Sequence, residues 1–558
     1  MKLARCAALL SLAASALALQ LPLYADGAAA AAAAAFDAVD SASSGAAGPQ
    51  RIELPRAQAA SAGAASTEEL IARHRADFTV LTHEEFPEMS VRIKRINAPA
   101  APSAKGKDDS SDPDAFCDPS VTSWSGYIDS IDGKSLFFTF FESRSNPSKD
   151  PLLLWTNGGP GCSSAIGLFM ELGPCRVKDD GGRGRRVEGP PINGTTYNAY
   201  SWNSRMNTLF IDQPIGVGYS YSRYGTHTYD ADQGAADVYK FLRIFLGAFE
   251  RFASNELILS GESYGGRYIP RYAAEIADRN FELTTKAAKE GKKPDASKLL
   301  NLKRIAVGNG LTDITVQTTS YYDFTCTQAG LNPLYLDIST CKEMKVWKKR
   351  CEKMMQKVCR ESFDRSLCAA AVNTCTDQIG GPYAETGRNP YNVQDDCKAG
   401  LSPNLCYDLT ADIAAYLNRK DVRELLGAAP EAGDFQTCNM DVAAGFDRAG
   451  DTLVDNSDYV AGLLERGITA LFYVGTRDWI CNWLGNKQWI DAMEFAGAKA
   501  FKQAKNYRWL VDGKEAGETQ RGGGLTWATI FGAGHMVPYD QPKNSLEMMN
   551  RWLDGEAL

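Results

Sequence analysis

One stretch of the chain joins an apolar run to a serine flanked by glycines: Glu256-Leu257-Ile258-Leu259-Ser260-Gly261-Glu262-Ser263-Tyr264-Gly265-Gly266. The apolar part has the length of a buried strand, and a segment with helical character follows it and reaches Pro270. Gly-x-Ser-x-Gly between a strand and a helix holds a nucleophilic serine in a sharp turn at the edge of an α/β sheet. The pattern alone often arises by chance, so the flanking elements carry this prediction, and a plain glycine turn is the alternative.

Further short apolar segments recur along the chain, and most are ended by Gly, Asn or Asp. They predict buried strands at 136–141, 152–155, 207–212, 304–308, 470–474 and 528–531. Amphipathic stretches such as 233–249 separate them, which is typical of a mostly parallel sheet covered by helices. The cysteine-rich stretch 313–420 is helical in its middle and lacks strand-like runs. We predict that it forms an inserted cap.

Composition narrows the functional classes. The 558 residues are 44% hydrophobic and 23% charged, as in an ordinary globular protein. The net charge is −8 and no long basic block is present, so a nucleic-acid partner is not expected. The basic stretch 345–350 in the predicted cap is interpreted as a solvated helix face rather than a nucleic-acid or membrane patch. Four histidines without metal-type spacing disfavour a zinc hydrolase, and neither a metal nor another cofactor is expected.

The N-terminal part differs from the rest of the chain. Residues 1–26 have the basic start, short apolar stretch and small residues of a secretory signal peptide. Residues 27–116 are rich in Ala, Ser and Gly, which predicts a largely disordered pro-segment or linker with a weakly structured patch at 78–91. The catalytic domain is predicted at 117–558.

Fourteen cysteines without metal-type spacing indicate disulfides and an oxidising compartment. No membrane segment is expected in the mature form.

The catalytic base and its acid can be sought from the order of residues along the chain. A serine hydroxyl needs a base to take its proton and a carboxylate to orient that base. On this topology the acid and the histidine follow the serine, each after a later strand. His535 is the only histidine after Ser263, and Asp478 directly follows the strand predicted at 470–474. Each residue taken singly is as readily structural, but their order predicts a triad of Ser263, Asp478 and His535.

Backbone N–H groups must stabilise the negative charge that develops on the substrate oxygen. One is expected from Tyr264, the residue after the nucleophile, and another from the glycine loop 157–162, which follows the strand predicted at 152–155. Glycine there lets the backbone approach the substrate. The loop is not a phosphate-binding loop, since no Lys-Ser/Thr pair follows it.

Several of these motifs together resemble one enzyme family, the serine carboxypeptidases (peptidase family S10), closest to its carboxypeptidase Y and cathepsin A group. The stretches that carry the likeness are 155–164, 201–203, 212–214, 261–266, 478–483 and 534–538. The likeness extends from about Cys117 to the C-terminus. It implies an α/β-hydrolase fold with the disulfide-rich, mainly helical cap inserted. It also implies an enzyme that removes single residues from the C-termini of peptides and proteins.

The resemblance also assigns roles to individual residues. Ser263 would be the nucleophile, His535 the base and Asp478 the acid that orients it. Gly159 and Tyr264 would supply the oxyanion N–H groups.

Other residues would bind the substrate. Asn157, Glu262 and the Gly158 N–H would hold its terminal carboxylate, with Glu171 beside Glu262. Two carboxyls next to a third in one desolvated pocket cannot all ionise, which predicts peptide hydrolysis favoured at acidic pH. An apolar pocket for the departing residue is implied, with a plain core position as the alternative for each of its residues: Trp155, Met170, Tyr391, Tyr407 and Met536. Cys481 matches a free cysteine near the active site.

The resemblance implies five disulfides: Cys162–Cys438, Cys326–Cys341, Cys351–Cys375, Cys359–Cys368 and Cys397–Cys406. Cys6 leaves with the signal peptide, so Cys117 and Cys175 remain, and we predict that they pair. The sequon at Asn193 predicts a glycosylation site.

Two other functions remain open at this stage. An esterase or acyltransferase would use the same acyl-enzyme, although Glu262 is the residue of the peptidases in this family, where plant acyltransferases tend to carry Asp. A protective binding partner of other hydrolases is the second alternative. A vacuole-like or lysosome-like acidic compartment and secretion are equally compatible with the sequence. The oligomeric state, the physiological substrate, the pro-segment cleavage site and cleavage within the cap also stay open.

Overall fold

The computed structural model describes residues 51–53, 78–97, 116–178, 194–330, 336–397 and 405–558. The predicted signal peptide at 1–26, most of the segment 27–116 and the sequon Asn193 lie outside these residues.

The described strands are β1 Arg51–Glu53, β2 Thr79–His83, β3 Phe86–Asn97, β4 Ser123–Ser130, β5 Lys134–Phe141, β6 Leu152–Thr156, β7 Cys175–Val177, β8 Thr195–Tyr197, β9 Asn207–Ile211, β10 Tyr221–Ser222, β11 Leu257–Glu262, β12 Leu302–Gly308, β13 Thr469–Gly475, β14 Tyr507–Val511, β15 Lys514–Gly522 and β16 Leu525–Ile530. The α-helices are α1 Ala231–Ala248, α2 Gly265–Lys289, α3 Ile314–Cys326, α4 Ile338–Met355, α5 Arg365–Cys375, α6 Gly381–Ala384, α7 Leu409–Leu417, α8 Lys420–Leu426, α9 Met440–Ala449, α10 Ser457–Glu465, α11 Trp483–Ala492, α12 Ala498–Gln503, α13 Val537–Asp540 and α14 Pro542–Asp554.

One large sheet forms the centre of the fold, with the strand order β1-β2-β3-β4-β5-β9-β6-β11-β12-β13-β16-β15-β14. The six strands from β9 to β16 in this order are parallel. Antiparallel pairs extend the sheet on both sides, and β1 at the N-terminal edge pairs in parallel with β2. All seven strands predicted from apolar runs are present. The outer strands β14 and β15 were not predicted. β15 is largely polar, so no apolar run marks it, whereas the short apolar run Trp509-Leu510-Val511 in β14 was a strand signal that the prediction missed.

The N-terminal edge of the sheet differs from the prediction. β2 and β3 form a hairpin that pairs with β4, although they lie within the segment predicted as a disordered linker, 27–116. Leu81, Val91 and Ile93 are fully buried in the same apolar cluster as the central strands. Apolar residues alternate along β3, which is the pattern of a half-buried strand that composition averaged over the segment conceals. The sheet therefore begins before the predicted domain boundary at Cys117.

The inserted cap lies between β12 and β13. Helices α3, α4 and α5 pack around their own small core, and Trp479 stacks between Tyr321 and Tyr383 at ring distances of 4.1 and 4.4 Å. The whole insertion extends to 468, beyond the predicted limit of 420, because α9 and α10 also precede β13. Phe446 of α9 and Leu463 of α10 belong to the main apolar cluster, so this second part covers the sheet.

The described residues form six disulfides, with the pairings expected above: Cys117–Cys175, Cys162–Cys438, Cys326–Cys341, Cys351–Cys375, Cys359–Cys368 and Cys397–Cys406. Cys481 is the free cysteine of the described residues, and it is buried. None of the helices that the structure describes is both long and apolar enough to cross a membrane.

Candidate active site

The sharp turn after β11 presents Ser263. Its φ angle is +60°, in the left-handed region that a non-glycine residue rarely adopts, at a cost of about 1–2 kcal/mol. The turn is held because the Ser263 N–H donates to the Gly308 carbonyl at 3.1 Å and α2 begins two residues later. A Cβ on Gly266 would lie 2.7 Å from the Leu311 nitrogen, so glycine is required where the turn packs against the end of β12. This is the geometry of an exposed nucleophile between a strand and a helix.

Asp478 and His535 lie side by side at the same edge of the sheet. They follow β13 and β16, and the serine follows β11, so all three leave the carboxyl ends of parallel strands. The distance between His535 Nδ1 and Asp478 Oδ2 is 2.8 Å, and both side chains are buried. Because a carboxylate only accepts hydrogen bonds, the imidazole proton is placed on Nδ1 and Nε2 is left to act as a base.

The orienting acid has a second partner that the sequence analysis did not identify. Asn309, between two glycines after β12, donates from Nδ2 to Asp478 Oδ2 at 2.7 Å and to the Gly534 carbonyl at 3.3 Å. Its Oδ1 accepts from the Gly475 N–H at 3.3 Å. Asn309 therefore holds the same carboxylate oxygen that contacts His535, and it joins three strand ends. An asparagine directly after a predicted strand is the only sequence signal for it, and that signal is shared with ordinary turns.

A second carboxyl supports the histidine loop. Asp540 Oδ2 accepts a hydrogen bond from the Gly534 N–H at 2.6 Å, one residue before His535. Burial raises the pKa of Asp540 to about 6, although the Gly534 hydrogen bond favours its ionised form. The His535 N–H donates to the Tyr391 carbonyl at 2.7 Å. Two successive backbone N–H groups of the histidine loop are thus held by hydrogen bonds.

The glycine loop lies directly against the serine turn. A Cβ on Gly158 would be 2.3 Å from the Tyr264 nitrogen and 2.9 Å from Ser263 Cβ, so only glycine allows this approach. Gly159 has a φ of +108°, and the Gly159–Pro160 peptide bond is cis. Within the described part of the chain, neither the Gly159 N–H nor the Tyr264 N–H donates to a backbone carbonyl. Two free donors therefore lie next to the serine, as an oxyanion hole requires.

Asn157 connects the glycine loop to two buried carboxyls. Its Oδ1 accepts from Trp155 Nε1 and from the Gly167 N–H, both at 2.9 Å. Both partners are donors, so the amide orientation is fixed and Nδ2 faces the acids. Nδ2 donates to Glu171 Oε1 at 3.1 Å and to Glu262 Oε1 at 3.4 Å. The structure thus brings together the three side chains predicted to hold a substrate carboxylate.

Folding raises the pKa of both carboxyls. Burial raises the pKa of Glu171, and burial followed by the charge of Glu171 raises the pKa of Glu262 well above its ordinary value. The Oε2 atom of each carboxyl lacks a hydrogen-bond donor among the described residues. A proton carried by one carboxyl can be donated to the other, which satisfies both oxygens. The pair therefore retains at least one proton at pH values where an exposed carboxyl is ionised.

An aromatic wall borders the histidine. The ring of Tyr391 is 5.1 Å from that of His535 and 6.2 Å from that of Tyr407. Met170 precedes Glu171 in a short π-helical turn, and Met536 follows His535, so both are placed beside the site. The predicted pocket residue Trp155 is fully buried and its indole orients Asn157.

Cys481 is also part of this cluster. Its sulfur lies within 4.8 Å of ligand atoms of Asp478 and His535. Burial raises the pKa of the thiol well above its ordinary value, so the group stays neutral. Since metals bind the thiolate and Asp478 is already hydrogen-bonded to Asn309, the arrangement suits a hydrogen-bonded catalytic group better than a metal centre.

A parallel sheet that presents a serine in a sharp turn, with a histidine and an aspartate after later strands, defines the class of α/β hydrolases. A family model described as serine carboxypeptidase matches residues 113–555. The chain is 42% identical over 452 residues to carboxypeptidase Y homolog A of Blastomyces gilchristii, covering 80% of this chain and 76% of that protein. It is 36% identical over 477 residues to carboxypeptidase Y of Komagataella phaffii, covering 85% and 81%. The chain belongs to the serine carboxypeptidase family.

A solved structure supports the fold assignment. The prohormone-processing carboxypeptidase Kex1 of Saccharomyces cerevisiae superposes with a TM-score of 0.61 at 24% identity, over 83% of this chain and 91% of that one. The protein is therefore a serine-type carboxypeptidase with the α/β-hydrolase fold.

Proposed function

We propose that this carboxypeptidase removes single C-terminal residues, preferentially apolar ones, at acidic pH through an acyl-enzyme on Ser263. The observation that carries the proposal is the contact of the Asn157 amide with the buried carboxyls Glu171 and Glu262, close to the serine turn. A pocket that holds a carboxylate next to the nucleophile restricts cleavage to the last peptide bond of a chain.

Ser263 Oγ attacks the carbonyl carbon of the last peptide bond while His535 Nε2 takes its proton. The Gly159 and Tyr264 N–H groups stabilise the resulting oxyanion, and Asp478 stabilises the imidazolium. The imidazolium then protonates the leaving amine, the carbon–nitrogen bond breaks and the ester on Ser263 remains. Water, deprotonated by the same imidazole, hydrolyses the ester and restores the serine.

The substrate's terminal carboxylate binds to the Asn157 amide, the Gly158 N–H and a protonated Glu262. A protonated carboxyl can donate a hydrogen bond to this carboxylate, whereas an ionised one repels it. Deprotonation of the pair at higher pH therefore weakens substrate binding, which gives the preference for acidic pH. Tyr391, Tyr407 and the two methionines beside the site, with their apolar surfaces, suit an apolar departing residue.

The disulfides bear on the cellular compartment in which the enzyme works. Six disulfides form and persist in an oxidising compartment. Together with the signal-like residues 1–26 and the sequon at Asn193, they support a glycosylated zymogen of the secretory pathway. An acidic vacuole-like or lysosome-like compartment, or secretion into an acidic medium, suits the proposed pH preference.

The test compares a blocked apolar dipeptide with its C-terminal amide between pH 4 and pH 8. We expect faster cleavage of the free acid at low pH, weak cleavage of the amide and no cleavage of either by Ser263→Ala. Equal rates on acid and amide would refute the carboxylate pocket and favour an esterase-like enzyme. A folded, processed protein without activity at any pH would refute the peptidase proposal and favour a binding role.

A further inference from the structure

The outer face of the cap helix α4 carries a row of lysines. Met344, Cys351 and Met355 point into the cap core and define the buried side of the helix. The opposite side presents exposed lysines spaced three, four and four residues apart, which places them in one line along the helix: Lys342, Lys345, Lys349 and Lys353. This lysine stripe extends over roughly 17 Å at a rise of about 1.5 Å per residue.

The charges of the stripe are not used within the fold. None of its four lysines forms an ion pair with any residue that the structure describes, whereas Lys348, which lies off the stripe, pairs with Asp323 at 2.6 Å. The acids on α4, Glu343 and Glu352, lie on its flanks rather than in the line. Four adjacent unpaired cations repel one another, and this concentration stands out in a protein with a net charge of −8.

We propose that the lysine stripe binds an acidic segment of a partner polypeptide. An extended chain that carries Asp or Glu at alternate positions presents a carboxylate about every 7 Å on one side, close to the spacing of lysines one helical turn apart. Val346, 46% exposed, and Ile338, 89% exposed, lie on the same face and provide apolar contacts beside the charges. Such a surface recruits acidic polypeptides to the cap independently of the catalytic chemistry.

The shape of the stripe favours a polypeptide over an anionic lipid surface. The positive surface is one helix wide and is bordered by Glu343 and Glu352, which a flat membrane would also meet. Trp347 is half buried and covered by Arg350 at 5.2 Å, so it is not a free membrane anchor. The overall negative charge of the protein would be repelled by an anionic bilayer, whereas a single acidic segment contacts the stripe alone.

The test measures binding of a fluorescent peptide of ten glutamates, amidated at its C-terminus, to the full chain. The stripe variant replaces Lys342, Lys345, Lys349 and Lys353 by Gln, which removes charge without a marked loss of helix propensity. The matched control makes the same change at four exposed lysines at and beyond the end of α2: Lys286, Lys289, Lys292 and Lys293. Vesicles of phosphatidylserine and phosphatidylcholine are tested in parallel. Tm and cleavage of a blocked dipeptide report whether each variant is folded.

We expect the stripe variant to bind the peptide roughly tenfold or more weakly and to show a shallower dependence of affinity on salt. The control variant is expected to bind like the unaltered protein, and vesicle binding is expected to be weak for all three. Equal peptide affinity in the stripe variant, or an equal loss in the control, overturns the proposal. Stripe-dependent binding to vesicles without binding to the peptide would assign the surface to membranes and also overturn it. Because binding is measured apart from cleavage, a failure here leaves the proposed peptidase function untouched.

Discussion

Replacing Glu262 by Gln tests the role of the buried carboxyl pair directly. In the unaltered protein Glu262 Oε1 accepts a hydrogen bond from the Asn157 amide at 3.4 Å, and burial together with the nearby Glu171 raises the pKa of Glu262 well above its ordinary value. Gln has the same shape and offers an N–H donor at every pH. The variant should therefore mimic the protonated state of Glu262, and it should not lose this donor as the pH rises.

The magnitude follows from the hydrogen bond to the substrate carboxylate. A hydrogen bond to a charged group contributes about 1.5–3 kcal/mol, which corresponds to roughly 10- to 150-fold in kcat/KM. We expect the variant to stay within about tenfold of the unaltered enzyme at pH 5, since both then present a donor. At pH 8 the ratio of variant to unaltered kcat/KM should rise by about ten- to a hundredfold, because only Gln still donates.

The assay measures kcat/KM between pH 4 and pH 8 on a blocked dipeptide, with its C-terminal amide as the control substrate. The amide carries no terminal charge, so its pH profile should change far less.

Thermal unfolding gives an independent check of the direction in which the Glu262 pKa is shifted. Folding raises the pKa of Glu262 above its ordinary value of 4.5. Such a carboxyl stabilises the folded protein fully at pH values below its ordinary pKa, and this contribution is lost as the pH rises through the pKa of the folded state. The unfolding free energy of the variant should therefore decline less with pH. If the plots of kcat/KM against pH for the two enzymes coincide on their alkaline side, the reasoning is refuted.

Two further predictions concern residues that support the site. Asn309→Ala removes a hydrogen bond to the Asp478 carboxylate, so kcat should fall by about ten- to a hundredfold with little change in KM. Measurement of Tm should show that the variant is still folded. An unchanged kcat would contradict the positioning role of Asn309. Replacing Cys117 and Cys175 by Ser opens a crosslink with a sequence separation of 58 residues. This should lower the unfolding free energy by about 4 kcal/mol in denaturant titration, and an unchanged midpoint would show that the crosslink contributes nothing.

The geometry of the candidate active site was largely predictable from the sequence. Ser263 follows an apolar run and is flanked by glycines, so its turn is specified within a dozen residues. His535 and Asp478 were predicted from their order along the chain, from their positions after predicted strands and from the family resemblance, since parallel strands place their carboxyl ends at one edge. The structure places both residues in hydrogen-bond contact. Asn309 was not predicted, since an asparagine after a strand resembles any turn residue until its partner is known.

The N-terminal hairpin shows the opposite case. The alternation of Met89, Val91 and Ile93 is visible in the sequence, yet the surrounding composition is that of a linker. Whether such a strand is buried depends on a partner edge, which β4 supplies by pairing with β3. The outer strand β15 escaped prediction for a related reason, because this partly exposed strand carries mainly polar residues.

The sequence by itself determined the elements whose physics is local. Apolar runs of strand length specify the central sheet, and glycines specify the turn at Ser263 and the approach of Gly158. Chain order specifies that Asp478 and His535 follow later strands of the same sheet. Only the tertiary structure decided how polar groups distant in the chain meet. Glu171 and Glu262 are 91 positions apart, and their pKa values rise because folding removes both from water and brings them side by side. Burial and proximity are properties of the folded state, and no spacing in the sequence specifies them.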